Sequence, residues 1–280
     1  MSTRIIQVDS FTNRPFAGNP AAVCLLDWPV EASWMQNVAA EMNLSETAFV
    51  QPPSGAEPVF GLRWFTPKVE VDLCGHATLA AAHVLWEEEL LAPEDDAFFG
   101  TRSGRLTASR RGDWIELDFP AEPINRPITD QTELEAISRA LGHVPLISAG
   151  KNRFDLLAEL ADEQTVRGLT PDIRLVGKIP VRGIIATSPS AAPGFDFVSR
   201  FFAPQVGVDE DPVCGSAHCC LGPFWASKLG KAELTGHQVS CRGGVVKVRV
   251  AERRVALIGQ AVTVFKGSLV SDGKSRTRPI

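Results

Sequence analysis

Asp72-Leu73-Cys74-Gly75-His76-Ala77 and Val213-Cys214-Gly215-Ser216-Ala217-His218 are one phrase written twice in a chain of 280 residues. Their surroundings repeat as well. Trp64-Phe65-Thr66-Pro67 precedes the first copy and Phe201-Phe202-Ala203-Pro204 the second. Pro67 and Pro204 stand 137 positions apart, Cys74 and Cys214 140. Upstream, Thr47-Ala48-Phe49-Val50 matches Gly183-Ile184-Ile185-Ala186 at an offset of 136. Ala17-Gly18-Asn19 before Ala21-Ala22-Val23-Cys24-Leu25-Leu26 resembles Gly150-Lys151-Asn152 before Asp155-Leu156-Leu157. Ordered matches at about half the chain length predict two pseudo-symmetric domains; two copies are too few for a solenoid. The boundary is expected in the proline-bearing stretch 120–129. This gives domains over 1–122 and 123–280, with the last strand able to return to the first.

Each half reads as α+β. Strands are predicted over 61–65, 114–119 and 245–250, and over 1–13 with Ile6 and Val8 alternating. Helices are predicted over 31–42, 132–141 and 77–91. The last is apolar nearly all round from Leu79 to Trp86, which predicts a buried central helix wrapped by strands. Its counterpart over 216–229 contains Gly222-Pro223, and the proline predicts a kink or break there.

Composition narrows the partners. Hydrophobic residues at 44% and charged residues at 22% are ordinary for a globular chain. A net charge of −5 and the absence of a basic block argue against nucleic acid; Lys274 to Arg278 reads as a solvated tail. No apolar run has the length of a signal peptide or a membrane span. The six cysteines are scattered and form no CxxC pair, so reduced thiols in the cytoplasm are expected. Five histidines without HxxxH or HxH spacing supply no metal pattern, and Arg242-Gly243-Gly244 lacks the setting of a nucleotide fingerprint. Neither metal nor cofactor is expected.

The chemistry gathers at the two Cys-Gly pairs, where extended chain turns into helix. The first N–H groups of a helix lack internal partners and carry the positive end of its dipole. Gly75-His76-Ala77 and Gly215-Ser216-Ala217 therefore read as carboxylate cradles, which the repeat is expected to face toward each other. Cys74 and Cys214 occupy equivalent places; they are either small buried residues or an acid and base acting on opposite faces of a stereocentre, with a helix N-terminus favouring the thiolate. Glu46, at the entrance of an apolar strand, is either a surface cap or a carboxylate pointing into a cleft. Asp211, in the acidic run Asp209-Glu210-Asp211, is either part of a solvated turn or, with Pro212 leading into a helix, a group that orients His76 or a substrate amine. His83 and His218 lie inside helices and read as core or surface histidines.

Several motifs together resemble the phenazine-biosynthesis PhzF-like family. They are Phe16-Ala17-Gly18-Asn19-Pro20-Ala21-Ala22-Val23, Ser45-Glu46-Thr47-Ala48-Phe49, Arg63-Trp64-Phe65-Thr66-Pro67, Asp72-Leu73-Cys74-Gly75-His76-Ala77-Thr78 and Arg200-Phe201-Phe202-Ala203-Pro204. Glu210-Asp211-Pro212-Val213-Cys214-Gly215-Ser216-Ala217-His218 and Cys241-Arg242-Gly243-Gly244 extend the match over nearly the whole chain. The resemblance implies the diaminopimelate epimerase fold, with two similar domains each rolled around a central helix and the site between them. It implies a homodimer and a cofactor-independent isomerase that moves a proton on a small, carboxylate-bearing ring substrate. By resemblance the proton carrier falls on Glu46, with His76 and Asp211 beside it. Substrate-binding positions fall on Gly75, Ala77, Gly215, Ser216 and Asn19. One departure stands out: the family usually carries Thr where this chain has Cys214. With Cys74, that looks like the two-thiol pair of diaminopimelate epimerase and proline racemase. An epimerase or racemase is thus the alternative enzyme, and a non-catalytic small-molecule binder or interaction protein the alternative of another class.

Overall fold

The apolar run after Cys74 forms the helix Gly75–Glu87, and ten of its thirteen residues are buried. A helix with no face for solvent must be enclosed. It packs against the strands Thr3–Ser10, Glu46–Gln51, Gly104–Arg111 and Ala261–Leu269. It stops four residues before its predicted end, although no Gly or Pro intervenes. Glu87, Glu88 and Glu89 bring three carboxylates to the negative end of the dipole. Glu89 turns left-handed at φ 55°, and the Leu90 N–H closes back on the Leu85 carbonyl at 2.9 Å.

The computed structural model describes residues 3–55 and 57–270, so the basic residues 274–278 lie outside it. The chain forms two compact units. One holds Pro20–Leu117 with the described residues up to Phe16 and from Gln260 on; the other holds Asp118–Gly259 with Ala17–Asn19. The fold is α+β. No helix among the described residues is long and apolar enough to cross a membrane.

In the first unit the strand order is Ala261–Leu269, Thr3–Ser10, Asn19–Leu25, Glu46–Gln51, Val59–Phe65, Ala97–Thr101, Gly104–Arg111 and Trp114–Pro120. In the second it is Arg126–Pro127, Ser148–Lys151, Leu156–Glu159, Ile184–Pro189, Phe197–Ala203, Glu233–Gln238, Gly244–Ala251 and Arg254–Gly259. The pairing senses correspond. Asn19–Leu25 runs parallel to Glu46–Gln51, as Leu156–Glu159 does to Ile184–Pro189. Val59–Phe65 runs parallel to Ala97–Thr101, as Phe197–Ala203 does to Glu233–Gln238. The repeat is thus a repeat of topology. Its register corrects one offset: Thr47 lies opposite Phe65 and Ile184 opposite Phe202. The equivalent of Thr47 is therefore Ile184, and Gly183 stands where the first unit has Glu46.

Of the kink or break expected at Gly222-Pro223, the break does not occur: the second central helix, Gly215–Leu229, runs through both residues. Pro223 cannot donate to the carbonyl of Cys219, but the Glu122 N–H takes that carbonyl from outside the helix at 3.0 Å. Gly222 has its own reason. A Cβ there would lie 2.6 Å from Val248 Cγ1, so only glycine lets the strand Gly244–Ala251 approach so closely. Below it, Trp225 stacks on Phe197 with centroids 6.0 Å apart, and its Nε1–H donates to Thr187 Oγ1 at 3.0 Å. The outer helices Ala32–Met42 and Gln131–Ala140 fall within a residue of prediction.

Candidate active site

Cys74 closes the extended segment ahead of the first central helix with φ −147° and ψ 117°, and no side chain caps that helix. Its carbonyl accepts from Thr78 Oγ1 at 2.5 Å. At the second residue of the helix, His76 is 4% exposed and its carbonyl accepts from Ser10 Oγ at 2.8 Å. The ring is held at both nitrogens: Nδ1 lies 3.6 Å from Cys74 Sγ, and Nε2 lies 3.2 Å from Glu46 Oε2. Glu46 reaches this ring because it opens the strand Glu46–Gln51, paired in register with Ala21.

Burial pushes the His76 pKa down to about 3, so the ring is neutral near pH 7. A neutral ring has one N–H. Nδ1 is within hydrogen-bond reach of the Cys74 thiol, whereas Nε2 faces the Glu46 carboxylate at 3.2 Å without the alignment of a hydrogen bond. The Glu46 side chain is 17% exposed. The Glu46, Cys74 and His76 ligand atoms also lie within 4.8 Å of one another. A carboxylate, a thiol and an imidazole suit a thiophilic divalent ion as well as proton transfer, a proximity that sequence spacing did not reveal.

The second group forms at the head of Gly215–Leu229. Cys214 is again extended, at φ −98° and ψ 108°, and its carbonyl bonds His218 Nδ1 at 2.8 Å where the first unit uses Thr78. The Cys214 N–H donates to Gln238 Oε1 at 2.9 Å. Asn19 Nδ2 donates to Asp211 Oδ1 at 2.6 Å and to the Val213 carbonyl at 3.0 Å. Burial raises the Asp211 pKa to about 6, and hydrogen bonds from Cys214 and Asn19 restrain that rise. Burial, reinforced by the negative charge of Asp211, pushes the Cys214 thiol far above its usual range. This environment favours the thiol, the opposite of what the acid-and-base alternative for Cys214 requires. His218 is fully buried on the Cys214 carbonyl, and His83 Nε2 lies 3.2 Å from Thr263 Oγ1.

The predicted residues therefore fall into two sets: Glu46, Cys74, Gly75, His76 and Ala77 in one unit, Asn19, Asp211, Cys214, Gly215 and Ser216 in the other. Sequence reading missed Arg182 and Asp155. Arg182 Nη2 donates to Ser216 Oγ at 2.6 Å, and its guanidinium is paired with Asp155. Its one sequence signal was its position directly before Gly183, at the entrance of the repeated strand.

Residues 8–267 match the family described as phenazine biosynthesis-like protein, PhzC-PhzF. A Halalkalibacterium halodurans protein named "Uncharacterized isomerase" is 52% identical over 270 residues, covering 96% of this chain and 99% of the relative. The crystal structure of an Enterococcus faecalis phenazine biosynthesis protein of the PhzF family superposes with a TM-score of 0.90 at 40% identity, covering 97% of this chain and all of that one. A hydroxyproline epimerase from Agrobacterium vitis shares the fold, with a TM-score of 0.59 at 14% identity over 96% of this chain and 92% of its own. By these matches the chain belongs to the phenazine biosynthesis-like PhzF family, on a fold it shares with an epimerase.

Proposed function

We propose that the protein is a cofactor-independent isomerase that moves a proton on a small carboxylate-bearing substrate, with Glu46 as both acid and base. The observation that carries this is the 3.2 Å contact between Glu46 Oε2 and Nε2 of a neutral, buried His76. An imidazole that stays neutral lies against the carboxylate without adding a positive charge that would weaken it as a base. Glu46 then takes a proton from one carbon of the substrate and returns it, as the neutral acid, at another. The uncapped helix heads, Gly75 in one unit and Gly215-Ser216 in the other, each offer N–H donors to a carboxylate. The relative named as an isomerase supports the reaction class. The working unit in this reading is a homodimer in the cytoplasm, with no nucleic-acid or membrane partner.

The two-thiol reading is weaker on a specific ground. A thiol held protonated by burial and by Asp211 is a poor base at neutral pH. The test is proton exchange with solvent. The protein, incubated in D2O with ring amino-carboxylates and α-amino acids, should incorporate deuterium at carbon into at least one of them, read by proton NMR. Exchange confined to the Cα of an α-amino acid with racemisation would favour the epimerase. No exchange in any compound that binds would favour a binding protein.

A further inference from the structure

Arg182 enters no motif of the sequence, yet it sits where the repeat becomes asymmetric. In the first unit, Glu46 opens its strand and meets His76 at the second residue of the central helix. In the second unit, Gly183 holds the place of Glu46. There a Cβ would strike the Phe201 ring at 2.5 Å. The preceding residue reaches the helix head instead: Arg182 meets Ser216, the counterpart of His76, at 2.6 Å. One helix head thus has an acid behind it and the other a base.

The guanidinium is tightly fixed. Nε and Nη2 bond the two carboxylate oxygens of Asp155, at 2.9 and 2.5 Å, and Asp155 is 1% exposed. The rings of Phe154 and Phe201 flank it at 5.3 and 5.6 Å. An arginine only donates. Its bond to Ser216 therefore makes Ser216 Oγ an acceptor and leaves the serine proton to be given away. Cys214 Sγ, 3.6 Å from Ser216 Oγ, can receive it, and the Cys214 thiol in turn donates to Asp211. The chain of bonds runs one way, from Arg182 through Ser216 and Cys214 to Asp211.

We propose that Arg182 is a positioning residue that acts through Ser216, fixing its hydroxyl as a donor so that the head of Gly215–Leu229 accepts a carboxylate and not its neutral amide. This deepens the reading above and rests on it. The Asp155 partner keeps the cation in place without making the site strongly basic, and Ser216 turns its proton from Cys214 to the ligand.

The test is calorimetric binding of 2-aminobenzoate and L-proline, with 2-aminobenzamide as the uncharged control. Wild-type protein should bind at least one carboxylate and discriminate against the amide. Arg182→Met should weaken carboxylate binding by about tenfold or more, the weight of a charge-assisted hydrogen bond, and Arg182→Lys should recover most of it. Because Arg182→Met strands a buried carboxylate, Asp155→Asn/Arg182→Met provides a neutral version, expected to be as weak. Ser216→Ala keeps the ion pair intact and should weaken binding similarly. Adding Arg182→Met to Ser216→Ala should change little further, within about twofold. Unchanged affinity in Arg182→Met, restored affinity in the neutral double variant, or full additivity with Ser216→Ala would each overturn the proposal, as would no saturable binding of either carboxylate. Binding is read without turnover. Failure here is therefore separable from failure of the Glu46 reading, which solvent exchange reports.

Discussion

Glu46 Oε2 stands 3.2 Å from His76 Nε2, across a ring whose other nitrogen lies 3.6 Å from Cys74 Sγ. A strand entrance and a helix head, some thirty residues apart in the chain, are thereby joined through one neutral imidazole.

Removing the carboxylate while keeping its shape separates the two enzyme readings. Glu46→Gln should reduce solvent exchange by at least about a hundredfold, the usual weight of a general acid or base. Cys214→Thr, which restores the residue the family usually carries, should stay within about tenfold of the parent. Exchange surviving the first change and lost in the second would transfer the chemistry to the thiols.

The three donor atoms around His76 make metal dependence a real question. Exhaustive dialysis against EDTA should leave exchange unchanged, and added Zn2+ should inhibit by occupying Glu46, Cys74 and His76. Exchange that vanishes on dialysis and returns with a divalent ion would overturn cofactor independence.

Acid stability carries the mark of the buried histidines. Burial lowers the pKa of His76 to about 3 and of His218 to about 4, against about 6.5 in the unfolded chain. The unfolded state binds protons first, so stability falls as pH drops from about 6.5 toward these values, each histidine contributing a slope of up to about 1.4 kcal/mol per pH unit. Asp211 opposes this. With its pKa raised to about 6 by burial, the native state takes up that proton first and gains stability as pH falls toward about 4. Urea titrations at pH 7, 5.5 and 4 should show a shallower loss in His218→Gln and a steeper one in Asp211→Asn than in the parent. Parallel curves for all three would remove the assignment.

The second central helix offers a test of why it does not break. Helix propensity favours Gly222→Ala by about 1 kcal/mol. The new Cβ meets Val248 at 2.6 Å, however, and overpacking costs about 1–3 kcal/mol, so a net loss of stability is expected in denaturant titration. Pro223→Ala should gain less than the usual proline penalty of about 3 kcal/mol. The Cys219 carbonyl it would restore is already satisfied by Glu122.

The amino-acid sequence by itself determined the repeat and the two central helices, and it named the heads of those helices as the candidate site. Those features are local: a run of apolar residues, a Cys-Gly pair at a strand-to-helix turn, and spacing all survive in one dimension. Glu46 could be singled out by motif, but its contact with His76 depends on strand register. A break at Pro223 does not occur, and the N–H that takes the freed carbonyl comes from Glu122, about a hundred residues away. Arg182 was invisible for the same reason: its partners Asp155 and Ser216 lie 27 and 34 positions distant. Tertiary structure alone decided which acceptors its guanidinium reaches. The cause is general: hydrogen bonds and burial are satisfied in space, and a buried polar group takes whichever partner the fold brings within reach.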